Sequence, residues 1–160
     1  MKTVIKICLL LAVLLPVQLS AQTENFRLIC PLNEATLVPP PKKVIKYTEP
    51  DLTIVLTSDH DTVVKAVYIG RITNVELDED MKNGVVLYSR INNKDYYFWY
   101  TSINRLAVHR NEVIKAGQPI GYISPGGKIE LLMYEFETPV DATKYLDCRG
   151  MMNWKTAISD

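Results

Sequence analysis

Between residues 44 and 136 the apolar side chains of this chain come in short runs rich in β-branched and aromatic residues. Each run is closed by a turn signal, and none forms a stripe at helical spacing. Residues 44–47, 52–56 and 62–67 are such runs. Asn83-Gly84 introduces a longer one at 85–91, and Asn92-Asn93-Lys94-Asp95 separates it from the aromatic run 96–100, which is the pattern of a hairpin. Ser124-Pro125-Gly126-Gly127 is a further turn, leading into residues 129–136. Strands at this spacing predict an all-β fold, a small antiparallel sandwich or barrel-like domain. Strand alternation puts Tyr96, Phe98 and Tyr100 on one face of the aromatic strand and Tyr97 and Trp99 on the other. It likewise divides Leu131, Met133, Glu135 and Glu137 from Leu132, Tyr134 and Phe136. Core packing is the ordinary role of such an aromatic strand, and lining a ligand groove is the alternative.

The ends of the chain read differently from its middle. Lys2 and Lys6 flank the start of an apolar run at 7–17, and the small residues Ser20 and Ala21 follow, in the order of a secretory signal peptide removed after residue 21. The run is shorter than the ~20 residues of a membrane span, so no span is expected after cleavage. Residues 22–43 form a lead-in ending in Pro39-Pro40-Pro41, a triplet that favours polyproline II and is excluded from a central strand. One domain at 44–148 and a tail at 149–160, carrying Met151, Met152 and Trp154, complete the organisation.

The full sequence holds 18 basic and 18 acidic residues. Removing the two lysines of the leader leaves 16 against 18, a formal charge of −2. A balanced to slightly acidic chain lacks the clustered basic surface that nucleic-acid binding demands. Cys8 leaves with the signal, so Cys30 and Cys148 remain, and an even count in an exported chain predicts one disulfide. Two histidines, His60 and His109, sit 49 residues apart in polar turn-like stretches without metal-ligand spacing. No H-x-x-x-H pair is present, and Ser102 has no G-x-S-x-G elbow to make it a nucleophile.

The order of motifs adds a family likeness. Residues 62–72 contain Val64-Lys65-Ala66 and Gly70-Arg71-Ile72, residues 113–121 read Val-Ile-Lys-Ala-Gly-Gln-Pro-Ile-Gly, and residues 139–146 read Pro-Val-Asp-Ala-Thr-Lys-Tyr-Leu. This succession, covering roughly residues 51–146, resembles the lysostaphin-like (LytM-type) zinc endopeptidases that cut peptidoglycan cross-bridges. The lipoyl and biotinyl domains share the first two segments, but no lysine here has the place of the one they modify. The resemblance implies a LytM-type domain whose zinc is held by a His, by an Asp four residues on, and by the second His of a late H-x-H motif. Counting from Thr62, those first two positions fall on Asp51 and Val55. The late pair falls on Leu131 and Met133, and the His of the family's Y-x-H-L segment falls on Ser102.

Val, Leu and Met cannot supply the three first-shell ligands that catalytic zinc requires. The expectation is therefore a non-enzyme without cofactor, with Asp51, Val55, Ser102, Leu131 and Met133 marking a vestigial cleft or ligand site. The resemblance further implies an exported, periplasmic or extracellular module that binds peptidoglycan or an envelope protein such as a murein amidase. Two alternatives stand beside it: an active peptidoglycan metallo-endopeptidase with a displaced metal site, and a secreted interaction domain unrelated to murein.

Overall fold

The computed structural model describes residues 26–38, 52–77 and 83–148. The expected signal peptide, the proline triplet, the run at 44–47, Asp51 and the tail lie outside them. Thirteen strands run in order through the described residues: β1 (Leu28–Ile29), β2 (Thr36–Val38), β3 (Ile54–Thr57), β4 (Val63–Lys65), β5 (Gly70–Leu77), β6 (Asn83–Ile91), β7 (Lys94–Ile103), β8 (Arg105–Leu106), β9 (Val113–Ile114), β10 (Pro119–Tyr122), β11 (Lys128–Glu135), β12 (Thr138–Val140) and β13 (Leu146–Asp147). Among the described residues one 3-10 turn, Ala142–Lys144, is capped by the Asp141 carboxylate. Among the described residues no helix is long and apolar enough to cross a membrane.

The large sheet has the order β2-β3-β11-β7-β6-β5-β9, with β12 pairing along β11 beyond the end of β3. Three short strands, β4-β10-β8, make a second antiparallel sheet. One apolar core is shared by both, with Leu87, Phe98 and Ile129 from the large sheet and Val64 and Ile120 from the small one. The β6–β7 hairpin closes more tightly than the sequence predicts. Ile91 pairs with Lys94, so the loop is only Asn92-Asn93, with φ 51° and 65°, the left-handed conformation asparagine tolerates.

Two glycines are required by close approach. A Cβ on Gly70 would lie 2.1 Å from the Tyr88 carbonyl oxygen, and one on Gly121 would lie 2.5 Å from Ile103 Cγ2.

Residues of the lead-in segment take part in this core. Leu28 and Leu32 are fully buried, β2 extends the large sheet, and Phe26 stacks on Tyr145 at 4.5 Å with Tyr96 5.2 Å away. β1 and β13 pair in parallel, Leu28 with Leu146 and Ile29 with Asp147, and the next pair in that register, Cys30 and Cys148, is a disulfide.

Asp61 ties the same segment to β4. Its carboxylate accepts from the Asn33 N–H at 2.8 Å and from the Val63 N–H at 3.0 Å, with Lys65 Nζ 3.7 Å away. Partial burial alone would raise its pKa, but the two N–H donors and the Lys65 charge together outweigh it and hold the carboxyl below its ordinary 3.8. A depressed carboxylate stabilises the fold above its unfolded pKa, and the contribution is lost as pH falls through the folded value. We expect Asp61→Asn to weaken the domain at neutral pH and to flatten the part of the acid-denaturation curve that falls below pH 3.8. An acid limb identical in wild type and variant would contradict this.

Candidate functional site

The strand pairings decide which residues can act together, because directly opposed residues share a face. On β11, Ile129, Leu131 and Met133 are buried, while Glu130, Leu132 and Tyr134 lie half-buried on the other side. On β7, Tyr96, Phe98 and Tyr100 are buried and Tyr97 and Trp99 face outward. Core packing, the ordinary role of such a strand, is thus the role of its Tyr96, Phe98 and Tyr100 face. In the core, Tyr100 Oη accepts from the Val67 N–H at 2.8 Å, and burial pushes its phenol well above the ordinary range. Tyr96 Oη donates to Glu135, which also pairs with Lys94.

The register divides the site residues expected from sequence. Leu131 pairs with Ile54 and Tyr100, and Met133 with Phe98 and Val140, with exposures of 0% and 1%. Val55 pairs with Glu130 and so lies on the opposite face from Leu131 and Met133. Ser102, half-buried at φ 66°, sits in a bulge where it and Thr101 together oppose Gly84. Asp51 lies outside the described residues.

The β11 residue that does face Val55 is Glu130, which accepts from Thr101 Oγ1 at 3.1 Å. Sequence reasoning passed over it. Its signal was a carboxylate between Ile129 and Leu131, in a strand whose core face is apolar at every second position.

Zinc takes imidazole nitrogen, thiolate or carboxylate oxygen, and two of the residues that the resemblance matches to the family's ligands, Val55 and Met133, offer an alkyl chain and a buried thioether on opposite faces of the sheet. They do not fit the metal. Among the described residues no three His, Cys, Asp or Glu side chains converge as a metal site. His60 lies in an exposed turn, and His109, exposed, has Nδ1 3.0 Å from Glu112.

The outward face of the large sheet carries a groove of about 760 Å³. Tyr88, Tyr97 and Tyr134 follow one another across β6, β7 and β11, and Trp99 lies between Val86 and Leu132 in the adjoining row. Trp99 is 41% exposed, with its ring 6.1 Å from that of Tyr134. Tyr88 Oη donates to Asp95 at 2.8 Å, a bond that raises its pKa above 10.0.

One wall comes from a bulge in β5, where Thr73 is the extra residue between Ile72, paired with Leu87, and Asn74, paired with Val86. Thr73 and Asn74 consequently both line the groove. Arg110 joins them because its Nε donates to the Thr73 carbonyl at 3.0 Å, while the Asn111 N–H donates to Ile72 at 2.7 Å.

The opposite end is the two-residue turn Phe136-Glu137 between β11 and β12. Phe136 has φ 53° and is 64% exposed. A bulky side chain is disfavoured in this conformation and little packing compensates it here. We expect Phe136→Gly to raise stability by roughly 0.5–1 kcal/mol, read as a higher denaturation midpoint; an unchanged or lower midpoint would contradict the strain.

The model of peptidase family M23 matches residues 50–145. No curated protein matches the sequence. Among solved structures, Csd3 from Helicobacter pylori is similar with a TM-score of 0.61 and 18% identity, over 76% of this chain and 33% of its own. The solution structure of lysostaphin gives 0.54 and 18%, over 78% and 52%. A chain of the SpoIIQ-SpoIIIAH pore forming complex gives 0.57 and 13%, over 76% and 92%. This chain thus spans about a third of the Csd3 chain, and at these identities the likeness is one of fold.

Proposed function

The chain belongs to peptidase family M23, and from that premise we propose that it is a non-catalytic member that works by binding in the cell envelope. What supports this reading is the chemistry at the positions that the resemblance matches to the family's ligands: Val55 on one face of the sheet and, on the other, Leu131 and Met133 buried among Ile54, Phe98 and Tyr100. The Cys30–Cys148 disulfide supports an oxidising, exported setting, periplasmic or extracellular, with residues 1–21 as the cleaved leader and 44–148 as the family domain. The ligand in this reading is peptidoglycan or an envelope protein such as a murein amidase. A protein partner gains support from the likeness to a chain of a pore-forming complex.

Purified mature protein is expected to carry no stoichiometric zinc by elemental analysis, to leave muropeptides uncut, and to sediment with murein sacculi or retain an envelope protein. Zinc near one per chain with chelator-sensitive cleavage would establish the peptidase instead. Binding to neither sacculi nor any envelope protein would remove the binding role and leave a secreted domain unrelated to murein.

A further inference from the structure

We propose that the outward groove of the large sheet is a saccharide site that takes a β-linked oligosaccharide across the ring of Trp99. The inference rests on reading the chain as a binding module, and it names the ligand class and the residues.

The floor is aromatic and rigidly held. Trp99 and Tyr97 project from β7, a central strand bonded on both sides, and Tyr134 projects from β11 beside them. Trp99 and Tyr134 are tilted by 51°, so their ring faces form a shallow trough rather than a flat wall. Such rings present a negative face and a large apolar area at small entropic cost. An equatorially substituted pyranose complements them, since its axial C–H groups make an apolar, weakly positive face while its hydroxyls point outward around the ring.

The rim supplies partners for those hydroxyls. Arg110 is oriented by its Nε bond to Thr73, which leaves its two terminal nitrogens as donors toward the groove it lines. Glu137 offers a carboxylate at the far end, and Asn74, whose amide nitrogen donates to Glu76 at 3.1 Å, adds an amide oxygen. One guanidinium and one carboxylate balance in charge, which suits an uncharged ligand.

The same features disfavour other occupants. A peptide strand adds to an open sheet edge, but the backbone of β7 is fully engaged by β6 and β11, so an extended peptide lying here would leave its own amides unpaired. A nucleic acid strand would find stacking surface but, among the described residues that line the groove, one cation, Arg110, set against Glu137, where phosphate tracking needs several. The volume lies within the ~300–1,000 Å³ of small-ligand sites, the size of a few sugar rings.

Chitotetraose is the probe, titrated into the mature protein by ¹H–¹⁵N correlation spectra, with the α-linked maltotetraose as control. Saturable shifts of the Trp99 indole and of neighbouring amides on β7 and β11 are expected with chitotetraose. Trp99→Ala is expected to weaken binding at least ten-fold and Trp99→Phe to retain part of it, with unchanged thermal midpoints verifying the fold. Absence of saturable shifts, equal binding of maltotetraose, or binding that survives Trp99→Ala would each overturn the proposal. Sedimentation with whole sacculi separates its failure from that of the wider reading. Sacculi bound without any response to chitotetraose would end the saccharide site and leave the binding module standing, with the peptide part of murein as the recognised portion.

Discussion

Replacing Cys30 and Cys148 together by serine is expected to lower the stability of the domain by about 4 kcal/mol, the largest single effect foreseen for a change outside the sheet interior. The bridge spans 118 residues of sequence, and cross-linking a loop of that length removes much of the conformational entropy of the unfolded chain. It also holds a contact with little support of its own. The parallel ladder of β1 and β13 is two residue pairs long, yet it fixes where Phe26 meets Tyr145 and where Leu28 enters the core. Without the bridge, fraying of residues 26–32 would uncover Tyr96 and Tyr145. Urea denaturation of oxidised wild type, reduced wild type and the double serine variant is the measurement. The last two should coincide and fall well below the first. A reduced protein as stable as the oxidised one would show that the bridge does not hold the chain ends.

The second large effect concerns an attempt to install the family's late histidine pair. Installing histidine at the late motif as Leu131→His with Met133→His is expected to unfold the domain at neutral pH rather than to create a zinc site. Each change forfeits about 2–3 kcal/mol of apolar burial and leaves an imidazole with no partner in the core, at a further ~1–3 kcal/mol. Two neighbouring losses of that size approach the ~5–15 kcal/mol by which a whole domain is stable. The geometry forbids rescue by metal, because Val55, the neighbouring position at which an aspartate could be added, points to the opposite face. As the control, Val55→Asp with Glu130→His places both groups on one face across a single strand pair and is expected to leave the fold intact. Thermal denaturation with and without zinc distinguishes the outcomes. A folded L131H/M133H protein whose midpoint rises with zinc would disprove this assignment of faces.

Both predictions turn on register, and register is where sequence reasoning reached its limit. Alternation was enough to separate Tyr96, Phe98 and Tyr100 from Tyr97 and Trp99, and each set lies together on one side of the strand. The hairpin followed from the turn stretch 92–95, although it closes over Asn92-Asn93 alone, and the disulfide from an even count of cysteines once an expected leader is set aside. The positions matched to the family's motif could not be checked in the same way. Whether Val55 lies beside Leu131 or beside Glu130 depends on a one-residue choice of pairing, and such a slip exchanges every side chain between faces. The bulges at Thr73 and Ser102 shift the count again, and no turn or composition signal in the sequence announces them. The part played by residues 26–38 was equally hidden, since Leu28 and Leu32 are too few to form a pattern and gain meaning only from the strands they meet.

The sequence by itself determined that this chain is built of strands, which side chains share a strand face, and that Cys30 and Cys148 are a candidate pair. These are local properties, set by the two-residue period of a strand and by side-chain chemistry. Only the tertiary structure decided that Leu131 and Met133 are core, that Glu130 faces Val55, and that an aromatic groove lies on the outward face. These depend on which strands pair and in what register, an outcome of burying one common core that no short stretch of sequence encodes alone.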